Sequence, residues 1–361
     1  MELSKRKLII LGVVFVVILG LIIGLIVIPK GEKDDKEQKP NVEEVKEPEK
    51  EVKKLKIIDE DSNSRTIAVQ INNHNQARPN HAGLNDAYIV YEAIVEGGIT
   101  RMLALFKDKD TEKIGSVRSA RPYFIDYVLE NDAIYVHYGF SEKAKNEIAS
   151  LGINNINGLY DNAFWRDRSL NVDYEHTAYT NMENIKNMIS NKGYRTTTDK
   201  KTLLNYSVDE INIKEEKTST LDDGTKETIV SNNASKVTIP YSYYMTVRYD
   251  YDSESKMYKR FANGVAHTDS ITKEQYAFKN IIVALVKNYT TTEGSGRQAL
   301  ENIGTGSGYY ITNGNYKKII WQKDSRESQT VYKYEDGSEI KVNDGNTFIQ
   351  IVPIENTITF E

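Results

Sequence analysis

The 361-residue sequence predicts an α/β N-terminal domain on a mixed sheet with helices, a smaller β-rich C-terminal domain, and a single N-terminal transmembrane helix. Three observations predict it: an uncharged run over residues 8–28, short β-branched and aromatic runs alternating with capped helical patterns between 66 and 190, and a helix-poor, turn-punctuated texture after about 200.

The N-terminus carries Lys5, Arg6 and Lys7, and residues 8–28 then run 21 positions without a charge or a strongly polar side chain. At about 1.5 Å per residue such a helix spans a hydrocarbon core of roughly 30 Å. A cleaved signal peptide is the alternative, but its apolar region is usually about 7–15 residues long. No small-x-small site follows in Ile26-Val27-Ile28-Pro29-Lys30. The reading is a cytoplasmic tail at 1–7, an anchor at 8–29 and an extracellular ectodomain held at the cell membrane. Lys30, Lys33, Lys36 and Lys39 also follow the segment, so orientation rests on the short basic tail entering N-in. Residues 30–56 hold nine lysines and nine acidic residues with almost nothing apolar. Such a stretch cannot bury enough surface to offset its ordering entropy, so it reads as a flexible linker, or alternatively as a solvated helix laced with Glu–Lys pairs.

The α/β domain is placed at 57–200. Residues 66–73 (TIAVQINN), 88–95 (YIVYEAIV), 101–106 (RMLALF) and 133–138 (AIYVHY) read as strands. Helices are expected at 122–131, where Pro122 suits a first turn, at 141–151 behind Ser141 and ending at Gly152, and at 182–190 behind Thr180. The β-rich domain is placed at 201–361. There 237–251 and 256–261 read as strands joined by the Asp252-Ser253-Glu254-Ser255 turn, followed by strands at 280–286, 308–312, 317–321, 330–334, 339–342 and 347–352. The polar stretch 203–237 is either an inserted hairpin or the interdomain junction.

Composition excludes several functions. With no cysteine there is no disulfide framework, no Cys-ligated zinc, no thiol nucleophile and no lipidated Cys. The first seven residues carry +2 of a chain total of −5, leaving −7 for the rest, which argues against a nucleic-acid partner. No HExxH, P-loop or GxSxG pattern occurs, and neither a metal nor a cofactor is expected.

One asymmetry points to a site. The chain has 34 lysines and 13 arginines, yet between Thr66 and Arg168 six arginines (Arg78, Arg101, Arg118, Arg121, Arg166, Arg168) face only five lysines. Guanidinium offers a planar fork that grips carboxylate or phosphate bidentately, which Lys cannot copy. Arg101, Arg118, Arg121, Arg166, Arg168 and Asn73 are therefore the candidate ligand-binding residues. The alternative is a set of structural Arg–Glu and Arg–carbonyl pairs, with Glu92 and Glu96 as partners. Glu92, Glu96, His137 and His176 are the catalytic candidates. Glu92 and Glu96 share strand parity, but at about 13 Å they stand too far apart for a glycosidase pair. His137 ends a strand and His176 sits in an irregular stretch; each is a base or anion donor, or a packed core histidine.

These segments also carry a resemblance. Ala82-Gly83-Leu84, Asp86-Ala87, Val90-Tyr91-Glu92-Ala93-Ile94-Val95-Glu96-Gly97-Gly98-Ile99-Thr100-Arg101 and Ile114-Gly115-Ser116-Val117-Arg118-Ser119-Ala120-Arg121-Pro122-Tyr123 resemble the signature blocks of the DUF3048 (YerB-like) family. Tyr258-Lys259-Arg260, His267-Thr268-Asp269, Asn280-Ile281-Ile282-Val283, Gly306-Ser307-Gly308, Trp321-Gln322-Lys323 and Gly345-Asn346-Thr347-Phe348-Ile349 resemble its second domain. The resemblance implies a bacterial lipoprotein or membrane-anchored envelope protein, and this chain departs from the lipoprotein pattern in lacking a Cys. It brings no settled activity. Two readings follow. One is a binding or scaffolding module whose partners are an anionic cell-wall glycan, a lipid-linked phosphate precursor or another envelope protein. The other is a cell-wall hydrolase or transferase that uses Glu92 or Glu96 with arginine substrate clamps.

Overall fold

The computed structural model describes residues 53–220, 225–292 and 294–361. Among them no helix is long and apolar enough to cross a membrane. The tail at 1–7, the anchor at 8–29 and linker residues 30–52 lie outside the described residues. The chain enters the fold at Lys56 and Ile57, whose backbone N–H groups donate to the Asp344 carboxylate.

Strands β1 (Ile67–Asn72), β2 (Ile89–Ile94) and β3 (Thr100–Phe106) follow one another without an intervening α-helix, and then come α1 (Pro122–Glu130), β4 (Ile134–His137), α2 (Glu142–Ser150), β5 (Asn155–Asn157) and α3 (Met182–Asn191) in chain order. All but the short β5 fall where sequence pattern places them. Pro122 opens α1 at a position where its missing N–H costs nothing. Ser141 caps α2 by accepting from the Ala144 N–H, whereas α3 is capped by Asn181 accepting from the Asn184 N–H, one residue beyond the expected Thr180.

The second half is nearly all strand: β6 (Lys236–Ser242), β7 (Met245–Asp252), β8 (Met257–Ala262), β9 (Val265–Ala266), β10 (Asn280–Val286), β11 (Gly304–Thr312), β12 (Asn315–Lys323), β13 (Val331–Tyr334), β14 (Thr347–Pro353) and β15 (Thr359–Phe360). The expected single strand 237–251 breaks into β6 and β7 at the exposed Tyr243-Tyr244. No Gly, Asn or Pro marks that turn, so the tyrosine-rich alternation conceals it. Of 339–342 only Val342 joins a strand, Val342–Asn343. Within 203–237, Glu216–Thr220 pairs antiparallel with Lys226–Val230, so this stretch carries an inserted hairpin.

Ten strands form one mixed sheet in the order β13-β12-β11-β10-β14-β2-β3-β1-β4-β5. The first five belong to the C-terminal half and the last five to the N-terminal half. They join where β2 runs parallel to β14, from Ile89↔Thr347 to Ala93↔Ile351. Every residue of β1, β2 and β3 is buried, because both faces are covered. Ile89, Tyr91 and Ala93 pack with Phe124, Tyr127 and Val128 of α1 and Ala144 and Ile148 of α2. Val90 and Ile94 belong to the opposite layer, with Ile185 of α3 and with Ile239, Val247 and Tyr249. Those last three lie in a second sheet, β9-β8-β7-β6-β15, whose strict burial alternation along β6 marks one solvated face.

Candidate functional site

Strands β1, β2, β4, β5, β10 and β14 all point the same way, so their carboxyl ends share one edge of the main sheet. From β1 the chain passes to β2 and β3 on one side, and later to β4 and β5 on the other. Such a reversal of direction is where open α/β sheets bind ligands. Here β4 pairs with β1 only as far as Val69↔Val136. Beyond that residues 116–120 wedge between the strands: Asn72 N–H donates to the Ser116 carbonyl, Arg118 N–H to Gln70, Tyr138 N–H to Arg118 and Ala120 N–H to Gly139. The wedge places Arg118, Ser119 and Arg121 beside Arg101 at the start of β3. On the other side, β2 ends in Glu96-Gly97-Gly98, with both glycines at φ near +70° (70° and 69°), where a side chain would be strained.

Arg101 shares strand parity with Leu103 and Leu105 and so lies on the helix-covered face. It is only 5% exposed and donates to the Ser119 carbonyl. Among the described residues no carboxylate comes within ion-pairing reach of it. Burial, then the nearby Arg121 charge, lowers its pKa to about 9 against the pull of Glu96. Arg121 is neutralised: its Nε donates to Glu96 Oε1 at 2.6 Å and its Nη2 to Glu96 Oε2 at 3.0 Å. Burial alone would raise the Glu96 pKa, but these bonds and the Arg121 charge hold it below the ordinary value. Arg118 forms a half-exposed pair with Glu175 at 2.7 Å, a contact of small worth. Arg166 lies between the rings of Tyr138 and Tyr174, 4.2 and 4.1 Å from their centroids, and its Nε is buried without a partner. Arg168 is exposed.

His176 joins this edge. Its Nδ1 accepts from Asn72 Nδ2 at 2.8 Å, and its ring stacks on His74 at 4.5 Å. His137 is a packed core histidine whose Nδ1 meets the Gly139 carbonyl at 2.7 Å. Burial pushes its pKa down to about 4, against its hydrogen bonds, and that of His81 to about 3. A base whose pKa falls below its unfolded value is neutral in the fold and protonated in the unfolded chain between the two. Unfolding then takes up protons, and stability falls as pH drops below about 6.5. Each such histidine should contribute a slope of about 1.4 kcal/mol per pH unit. Denaturant midpoints between pH 6.5 and 5 should show this decline, and His137→Asn should reduce the slope by about one proton. An unchanged slope in the variant would contradict the assignment.

Glu92 and Asn73 stand elsewhere. The strand ends before Glu96, so the parity that aligned Glu92 with Glu96 does not extend that far. Glu92 faces the second sheet and is fully buried. It accepts from Arg260 Nη2 at 3.0 Å, Gln350 Nε2 at 3.1 Å, Asn73 Nδ2 at 2.9 Å and Thr100 Oγ1 at 2.5 Å. Arg260 Nε donates to His267 Nδ1 at 3.1 Å. Because Arg only donates, His267 must carry its proton on Nε2 and pass it toward His81 Nδ1, 2.8 Å away. Arg260, Gln350 and the two histidines went unpredicted. A signal existed: in β8 Arg260 shares parity with the buried Tyr258 and Ala262.

Two family models match the chain. The N-terminal domain of DUF3048, a protein of unknown function, matches residues 55–195, and the DUF3048 C-terminal domain matches residues 237–349. A protein of Bacillus subtilis (strain 168) named "Putative lipoprotein YerB" is 32% identical over 304 residues, covering 83% of this chain and 84% of that protein. The crystal structure of the YerB protein from Bacillus subtilis aligns with a TM-score of 0.69 at 30% identity, covering 82% of this chain and 94% of that one.

Proposed function

The chain belongs to the DUF3048 family, and from that premise we propose that it is a membrane-anchored envelope protein that binds an anionic glycan or lipid-linked phosphate at the carboxyl-edge arginines. The relative's description as a lipoprotein supports membrane association, and the uncharged run at 8–28 supplies an anchor without a cysteine.

Arg101 carries the binding reading. A buried guanidinium without a counter-charge is costly, so proteins pair such groups or use them. Glu96 is committed to Arg121 and Glu175 to Arg118, which leaves the buried Arg101 without a counter-charge where the parallel strands end. An entering phosphate or carboxylate would match it. Tyr160 and Tyr174, 73% and 66% exposed, flank this edge and offer aromatic faces to a sugar ring. The hydrolase reading gains less support. Glu92 has no surface, and Glu96 is held ionised by Arg121, which suits a general acid poorly.

Arg101→Met is expected to abolish ligand-induced thermal stabilisation while leaving the ligand-free protein at least as stable as the wild type. Arg101→Lys, which keeps charge but loses the fork, should weaken binding by about 1–3 kcal/mol. The ligands to screen are phosphate-bearing wall fragments and polyprenyl phosphates. If none of them shifts the melting temperature and Arg101→Met is strongly destabilised, the cluster is structural.

A further inference from the structure

A pocket of about 350 Å³, separate from the carboxyl-edge cluster, opens on the seam between the two family domains. Arg78 and Pro79 line one wall; Ala262, Val265, His267 and Thr268 line the other. The walls are stitched together nearby: Gly83 N–H donates to Asp269 Oδ2 at 2.7 Å and Ser270 N–H to the His81 carbonyl at 2.7 Å. The pocket is therefore preformed, and its size is that of a small-molecule site.

Its charge is unbalanced. Arg78 Nη1 donates to the Asn73 carbonyl at 2.8 Å and lies 3.6 Å from Met245 Sδ. Among the described residues Arg78 has no carboxylate within ion-pairing distance. Glu92, whose charge reaches Arg78, is gripped by Arg260, whose like charge opposes Arg78. His267 has both ring nitrogens occupied and brings no negative charge. One half-buried fork thus faces a pocket that carries an aliphatic patch of Pro79, Ala262, Val265 and Ala266 beside the neutral polar Asn75, Asn263 and Thr268.

We propose that this pocket binds a carboxylate attached to a short apolar body, with the carboxylate on Arg78 and the body against Pro79, Ala262 and Val265. A single fork and a single unmatched charge suit a monoanion. Two sources share this chemistry: the C-terminal end of a peptide and a small free acid.

Binding to the isotopically labelled full-length chain in detergent micelles, read by NMR shift changes, tests the assignment. The probes are N-acetyl-leucyl-alanine, its C-terminal amide and hexanoate. The free-acid dipeptide should bind at least ten-fold more tightly than the amide. A dipeptide preference over hexanoate identifies a peptide end, and equal affinity identifies a small acid. Arg78→Met should remove the acid–amide difference. Val265 is exposed, so Val265→Asp should leave folding intact and weaken the acid but not the amide. The shift changes should map to Arg78, Ala262 and Val265 and not to Arg101, Ser119 or Arg121, which separates this pocket from the carboxyl-edge site. Equal binding of acid and amide, no binding of either acid, or unaltered affinity in Arg78→Met overturns the proposal.

Discussion

Glu92→Gln is expected to destabilise the protein by about 3–5 kcal/mol, the cost of leaving one member of a buried ion pair without its partner. Glu92 and Arg260 are both 0% exposed, and Gln350, Tyr249 and His267 also hydrogen-bond to the pair. The amide oxygen can still accept from Asn73 and Thr100, but the NH2 then faces the donors Arg260 Nη2 and Gln350 Nε2, so the loss combines the stranded guanidinium with these donor–donor contacts. Adding Arg260→Met should recover much of it, because it removes the stranded buried charge. Denaturant midpoints of the two single variants and the double would give a coupling energy of several kcal/mol. A loss below about 1 kcal/mol in Glu92→Gln would show that water reaches Arg260.

A fragment of residues 53–200 is expected not to fold cooperatively, although the sequence boundary at 200/201 marks it as a domain. Among the described residues two ion pairs have both side chains 0% exposed, and each links the family's two domains. Glu92–Arg260 does so on one face of the main sheet. Lys323 Nζ–Glu130 Oε2, at 2.9 Å, does so on the other. Glu130 also accepts from Tyr91 Oη at 2.7 Å and from the Thr330 N–H at 3.0 Å. Cutting at 200 removes the cationic partners of both carboxylates and strips β14 from β2, exposing an unpaired strand edge that is apolar except for Glu92. The fragment should bind ANS, lose its near-UV circular dichroism and aggregate. A sharp, reversible unfolding transition would instead establish 57–200 as an independent domain.

Much of the local structure is legible in the sequence. β10 matches its expected span of 280–286 residue for residue, and β1 to β4 lie within one residue of theirs at each end. The hairpin at 252–255 was legible from its turn residues. Such features depend on a few neighbouring residues, through side-chain shape, period and turn chemistry. The concentration of arginine at one site was legible for a different reason: in a lysine-rich chain, repeated use of the costlier fork is visible as composition.

The roles of those residues depended on partners far away in the chain. From sequence, Glu92 and Glu96 stood equally close to the arginines. Glu96 pairs with Arg121, 25 residues away, while Glu92 turns to the opposite face and meets Arg260 at a separation of 168. Strand alternation states that two faces exist, but not which layer covers each. That is decided only when α1 and α2 settle on one side of the sheet and the second sheet on the other. The chain's own pattern determined its strands, its helices and its arginine-rich edge. Tertiary packing decided which charges are neutralised and left Arg101 and Arg78 unmatched, because the energy of a buried charge depends on what lies within a few ångströms in space rather than along the chain.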